Sequence, residues 1–192
     1  GPAVTPACWD YYSNGTNTAE TSGSTSYYGG VAQYSYTSSY ACLVASDPYL
    51  IMPIYLVGSA VTGQTYLDYA AARGTTKIAI LPAFVEALNT LQISFDYKMS
   101  SSYSATGYAS TLELGYVTGN DYTFTSMQSW NATTTKQSIE ELNLSSLAAN
   151  APAGARLAFK FSGVHNGTGT SSYGAVYCGI DNVVVESLPN CL

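Results

Sequence analysis

At 192 residues, 46% of them hydrophobic, the chain is long enough and apolar enough to bury a full core, which excludes a disordered segment. Its six Lys and Arg are scattered and its net charge is −6, so it has no phosphate-neutralising stripe. Nucleic-acid binding is excluded, and anionic membrane surfaces are disfavoured. Only 9% of residues are charged, and 18 Tyr stand against 5 Phe and 2 Trp, a balance that suits an all-β extracellular protein kept wet by hydroxyls rather than a helical cytosolic enzyme.

Residues 13–30, SNGTNTAETSGSTSYYGG, are poor in aliphatics and read as a loop. Val31 to Thr37 alternates and reads as a strand, and Met52 to Val57 reads as a buried one. The apolar run 49–57 is broken by Pro53 and is far shorter than the roughly 18 residues of a membrane span. Thr65 to Ala71 is a further candidate strand, turning at Arg73-Gly74. Lys77 to Leu81 is another and stops before Pro82. Ala83 to Ala87 is expected to form one helical turn.

Leu91 to Met99 alternates strictly, placing Leu91, Ile93, Phe95 and Tyr97 on one face. A polar hairpin loop follows at Ser100 to Gly107. Thr111 to Val117 alternates again, Gly119-Asn120-Asp121 is a turn, and Tyr122 to Trp130 is a strand. Gln137 to Leu144 and Leu157 to Phe161 follow, and 165–172 is a loop. The last strand begins at Ala175 and carries Val183, Val184 and Val185, whose β-branched side chains suit a pleated surface. It is expected to pair with the N-terminal strand and to end before Pro189. Nine or ten short strands with almost no helix predict one antiparallel β-sandwich over 1–192.

The four cysteines, Cys8, Cys42, Cys178 and Cys191, contain no CxxC pair, and His165 is the single histidine. Zinc is therefore disfavoured and two disulfides are expected. Three pairings are possible. Joining early chain to late chain favours Cys8–Cys191 and Cys42–Cys178, which requires an oxidising compartment. With no leader segment visible, the chain reads as a mature form or as one domain of a longer protein.

Catalytic chemistry finds little support. His165 lies in a Gly/Thr loop without a nucleophile elbow. Asp96 and Glu113 lie on successive candidate strands and are the one carboxylate pair suited to glycoside hydrolysis. Asp96, however, falls on the polar side of its alternation, where a solvent-facing pair with Lys98 is expected. No catalytic residue is assigned. Asp181 is a lone carboxylate in an apolar strand and needs partners, either backbone N–H groups or a cation. The aromatics in or beside loops are Tyr27, Tyr28, Tyr103, Tyr108, Tyr122, Trp130 and Tyr173. A flat ring with a polar tip suits stacking on a sugar, so these are the candidate ligand-binding residues. Four N-x-S/T sequons occur, at Asn14, Asn131, Asn143 and Asn166.

Four blocks in order, LPAFVEALNTLQISFDYKMSSS, TLELGYVTGNDYTFTSMQSW, ARLAFKFSG and AVYCGIDNVVVESLPNC, resemble the MAM-like jelly-roll domains of Bacteroidales surface proteins, of the cleaved-adhesin or choice-of-anchor type. The resemblance covers about 63–191, with a weaker echo in PACWDYYSNG. Residues 16–60 depart from it and read as an insertion that contains Cys42.

The resemblance implies a jelly roll with an attachment or glycan-binding role and no catalysis. It also implies that an acid at the place of Asp181 holds structural Ca²⁺ through added backbone carbonyls. The expectation is a secreted or cell-surface, adhesin-like module of a larger multidomain protein. It binds glycan or a host-surface glycoprotein and inserts in no membrane. A purely structural or assembly module is the alternative, with a glycoside-active enzyme behind it.

Overall fold

Two five-stranded antiparallel sheets enclose the core of the computed structural model, which describes residues 8–13, 19–22, 25–28, 32–34, 49–57, 76–101, 109–131, 135–164 and 174–189. The described strands are β1 (Asp10–Ser13), β2 (Ala19–Ser22), β3 (Thr25–Tyr28), β4 (Ala32–Tyr34), β5 (Tyr49–Val57), β6 (Thr76–Ile80), β7 (Leu91–Ser101), β8 (Ala109–Thr118), β9 (Thr123–Asn131), β10 (Gln137–Asn143), β11 (Arg156–Val164) and β12 (Gly174–Ser187). One sheet runs β1-β6-β11-β8-β9 and the other β10-β7-β12-β5-β4, while β2 and β3 form a separate hairpin. No described helix is long and apolar enough to cross a membrane.

The alternation read from the sequence sets both inner faces. Leu91, Ile93, Phe95, Tyr97 and Met99 are all buried on β7. Leu112, Leu114 and Tyr116 on β8 and Leu157, Phe159 and Phe161 on β11 are buried opposite them in the same core. Phe95 lies at the meeting point: its ring stands edge-on to Phe159 at 4.9 Å and to Trp130 at 5.5 Å. Such edge-to-face pairs add specific geometry to a large apolar burial. Trp9 also packs against this core.

Two local expectations change. The terminal strand β12 pairs with β7 and β5, while β1 pairs with β6 in the other sheet, so the first and last described strands do not share a ladder. Among the described residues the helical turn lies at Leu88–Thr90, after 83–87, where the Thr90 hydroxyl donates to the Ala87 carbonyl at 2.7 Å. Pro53 sits inside β5, beyond the point where β4 stops pairing at Ile51; among the described residues β5 is an edge there, which a missing N–H tolerates. The interval 16–60 thus supplies β4 and β5 to the larger sandwich. The candidate strand Thr65 to Ala71 lies outside the described residues.

Candidate functional site

Each sheet turns one face outward, and the two outer faces differ in chemistry. On the face of β10, β7 and β12, the register places Ser138, Asp96 and Asp181 in one row. Two like charges side by side need neutralising. Lys136 Nζ lies 2.8 Å from Asp96 Oδ2, and the Asn182 side-chain amide donates to the same oxygen at 2.9 Å. Lys136, rather than Lys98, is therefore the cation of Asp96. Asp181 accepts the backbone N–H of Asn182 at 2.8 Å.

Two bulges flank this part of β7. The β12 register shifts between Asp181 and Val184, and the β10 register shifts between Ile139 and Leu142. Asn182 and Glu141 take positive φ inside them (52° and 47°), and the Glu141 N–H donates to the Ser94 hydroxyl at 2.9 Å. Bulges re-aim side chains, and here one turns the Asn182 amide toward Asp96.

Burial pushes the Asp96 carboxyl up, but hydrogen bonds from Lys136, Ser138 and Asn182, together with the Lys136 charge, outweigh it and hold the group below its ordinary 3.8. A depressed folded-state pKa gives stability that is present above the ordinary value and is lost as pH falls through the folded one. Lys136 is half exposed, so the pair is worth at most about 1 kcal/mol. Asp96→Asn is accordingly expected to lower stability slightly at pH 7. The difference from the parent should fade on titration below pH 3.8, as urea unfolding at several pH values will show.

Asp96 and Glu113 do not face each other. β7 and β8 lie in different sheets, and Glu113 is on the opposite outer face, where it pairs with Lys160 at 3.6 Å. The sequence placed the two strands side by side, but the chain crosses from one sheet to the other between them. The two carboxylates cannot flank one glycosidic bond.

The outer face of β1-β6-β11-β8-β9 is aromatic. Its floor is a small second cluster of Ile78, Ile80, Val117 and Ala158, against which Tyr122 and Phe124 pack. Gly115 continues the floor, and a Cβ there would stand 2.6 Å from the Phe124 ring and 2.1 Å from the Thr125 carbonyl. Phe124 therefore lies flat across the strand because residue 115 is glycine. Lys160 Nζ stands 5.3 Å from the centre of that ring.

Tyr12, across from Ile78 on β1, is exposed, and its ring lies 5.9 Å from that of Tyr122 with the planes 37° apart. Tyr122 ends the Gly119–Tyr122 turn with φ 55°, an uncommon conformation for a bulky side chain. Its hydroxyl donates to Asp10 Oδ2 at 3.3 Å, and Arg156 lies 3.7 Å from the same oxygen. Arg156 also donates from Nε to the Leu81 carbonyl at 2.9 Å, so it ties β1 and Asp10 to the sheet.

Of the ligand-binding candidates, Tyr122 alone is placed on this face. Trp130, at the other end of β9, packs half-buried against the main core beside Phe95 and Tyr97. Tyr27 and Tyr28 lie in β3, and Tyr103, Tyr108 and Tyr173 lie outside the described residues. Tyr12 and Asp10 escaped the sequence reading. Their signal was the alternation in Asp10-Tyr11-Tyr12, which sends Asp10 and Tyr12 to one side.

Cys8 is exposed and forms no disulfide, and Cys178 is buried. Their expected partners, Cys42 and Cys191, lie outside the described residues, so neither pairing is placed. For calcium, no group of three or more acidic, histidine or cysteine side chains forms among the described residues. Asp181 and Asp96 supply two carboxylates, one already neutralised by Lys136, against the roughly six to eight oxygens that the ion takes.

No family model matches the chain, and no curated protein matches it. Solved structures do. The cleaved adhesin domain of Lys-gingipain from Porphyromonas gingivalis aligns with a TM-score of 0.51 at 13% identity, covering 96% of this chain and 93% of that chain. A CBM4 structure aligns with a TM-score of 0.37 at 15% identity, covering 95% of this chain and 96% of that chain. The first likeness shows a shared β-sandwich fold, and the second is too low in score to carry more.

Proposed function

We propose that the chain is a non-catalytic, adhesin-like module of jelly-roll type, working outside the cell or on its surface as part of a larger protein and binding glycan or a glycoprotein. One observation carries this: an outer sheet face presents paired tyrosine rings over an apolar floor, while the one carboxylate pair considered for hydrolysis is split between opposite faces. The fold it shares with a cleaved adhesin domain is compatible with such a role.

The test is electrophoresis through gels containing neutral polysaccharides, with reducing ends assayed in parallel. Retardation without new reducing ends is expected. No retardation in any gel would favour the structural or assembly module. Release of reducing ends, lost in Asp96→Asn or Glu113→Gln, would make the protein a hydrolase.

Calcium has no part in this proposal. EDTA is expected to leave the melting temperature unchanged; a fall restored by added Ca²⁺ would return the ion to Asp181.

We also propose that the oxidised protein closes Cys8–Cys191 and Cys42–Cys178. For the first bond, Cys8 and Leu188 both lie beside the segment 81–90. Arg156 links the Cys8 and Leu81 carbonyls, and the Leu188 N–H donates to the Thr90 carbonyl at 2.8 Å. Non-reducing peptide mapping is expected to find both pairs, and a Cys8–Cys42 peptide would refute them.

A further inference from the structure

The geometry points to the Tyr12–Tyr122 pair as the ligand platform and to neutral pyranose sugars as its ligand class. This rests on the reading of the chain as a binding module and gives that module a place and a chemistry. Three observations converge on it.

The first is shape. The rings stand 5.9 Å apart and 37° from coplanar over the floor of Ile78, Ile80 and Ala158, so together they make a shallow apolar seat. The C–H-rich face of a pyranose is flat and apolar, and its hydroxyls project at the rim. A platform of flat rings with polar tips matches that division.

The second is charge. The protein carries −6 overall, and among the described residues the cations of this face, Arg156 and Lys160, are each paired with a carboxylate, Asp10 and Glu113, while Asp121 adds a further carboxylate beside Tyr122. A closed pair has little field to attract an ionic ligand, but its oxygens and N–H groups still suit hydroxyls. An acidic sugar would meet Asp10, Glu113 and Asp121 with no surplus cation among the described residues to hold it. A phosphate or sulfate ligand would be in the same position.

The third is strain. Tyr122 is a bulky residue held at φ 55°, where glycine or asparagine would sit more easily. That conformation brings its ring beside Tyr12 and its hydroxyl to Asp10. Left-handed residues that persist at a cost cluster where a side chain has to be aimed at a ligand.

The experiment is titration calorimetry of the whole chain with cellohexaose, mannohexaose and maltohexaose, and with hyaluronan hexasaccharide as the acidic probe, at low and high salt. The variants are Tyr12→Ala and Tyr122→Gly. Tyr122→Gly suits the positive φ, so it removes the ring without straining the turn, and its melting transition reports that the fold is intact. At least one neutral hexasaccharide is expected to bind with an affinity nearly independent of salt. Each variant is expected to weaken it by about tenfold or more, with a cooperative melting transition retained, near that of the parent for Tyr12→Ala and lower for Tyr122→Gly, whose ring packs on the floor. Unchanged affinity in both variants would move the platform elsewhere and leave the glycan-binding module standing. A salt-sensitive preference for hyaluronan would overturn the neutral-sugar assignment. Failure of all four probes to bind the parent would overturn the site and the binding-module reading together.

Discussion

Replacing Phe95 by alanine is expected to cost about 3–5 kcal/mol, the range for emptying a buried phenylalanine site. Phe95 is 1% exposed and contacts rings from both sheets. It stands edge-on to Phe159 from β11 and to Trp130 from β9, and Tyr97 follows it on β7 at 6.2 Å. Alanine would leave a void that neither sheet can close alone, because each is held by its own ladder. Single domains have only about 5–15 kcal/mol of stability, so the variant should unfold at a much lower urea concentration with an unchanged slope. Phe95→Leu keeps most of the volume and is expected to lose about half as much or less. Equal losses in the two variants would mean that burial at this point matters less than the ring contacts imply.

Gly115→Ala is expected to cost about 3 kcal/mol, at the upper end for overpacking. Its φ is unexceptional, so the cost is steric. The new methyl would lie 2.1 Å from the Thr125 carbonyl and 2.6 Å from the Phe124 ring. The carbonyl belongs to the β8–β9 ladder, so it moves only if β9 moves, and β9 carries the end of the turn that aims Tyr122. Gly154→Ala is the contrasting case: φ is +81° there and nothing lies within 4 Å of the added atom. Strain alone should cost about 1 kcal/mol at that position. Thermal or urea unfolding of the two variants separates the effects, and a Gly115→Ala protein as stable as Gly154→Ala would contradict the packing described for Phe124.

Alternation carried most of what the sequence disclosed. The apolar sets of β7, β8 and β11 read correctly because the largest apolar side chains of each strand alternate onto its inner face, even where β8 and β11 also bury Val117 and Ala158 on the outer one. Alternation does not say which sheet a strand joins. Asp96 and Glu113 therefore looked adjacent although β7 and β8 belong to opposite layers, and β12 was expected beside β1 although it lies between β7 and β5.

The bulges at Glu141 and Asn182 were illegible for a related reason. Each makes a bond to another strand: the Glu141 N–H donates to Ser94, and the Asn182 amide donates to Asp96. The platform was half legible. Tyr122 stood out beside a Gly-Asn-Asp turn, whereas Tyr12 gains meaning only once β1 is laid across β6. Trp130 looked like a surface aromatic from its place near a loop, but the β8–β9 register shift between Leu114 and Gly115 breaks the parity of β9 and turns it toward Phe95.

The most direct test is an amide NMR titration of the parent chain with a neutral hexasaccharide, with the sugar recovered and sized afterwards. The predicted result is a set of shifted amides confined to residues around Tyr12, Gly115, Tyr122 and Phe124, with the oligosaccharide recovered at full length. Shifts centred on Asp96 and Asp181 instead, or recovery of shortened sugars, would contradict a non-catalytic module that binds through its tyrosine face.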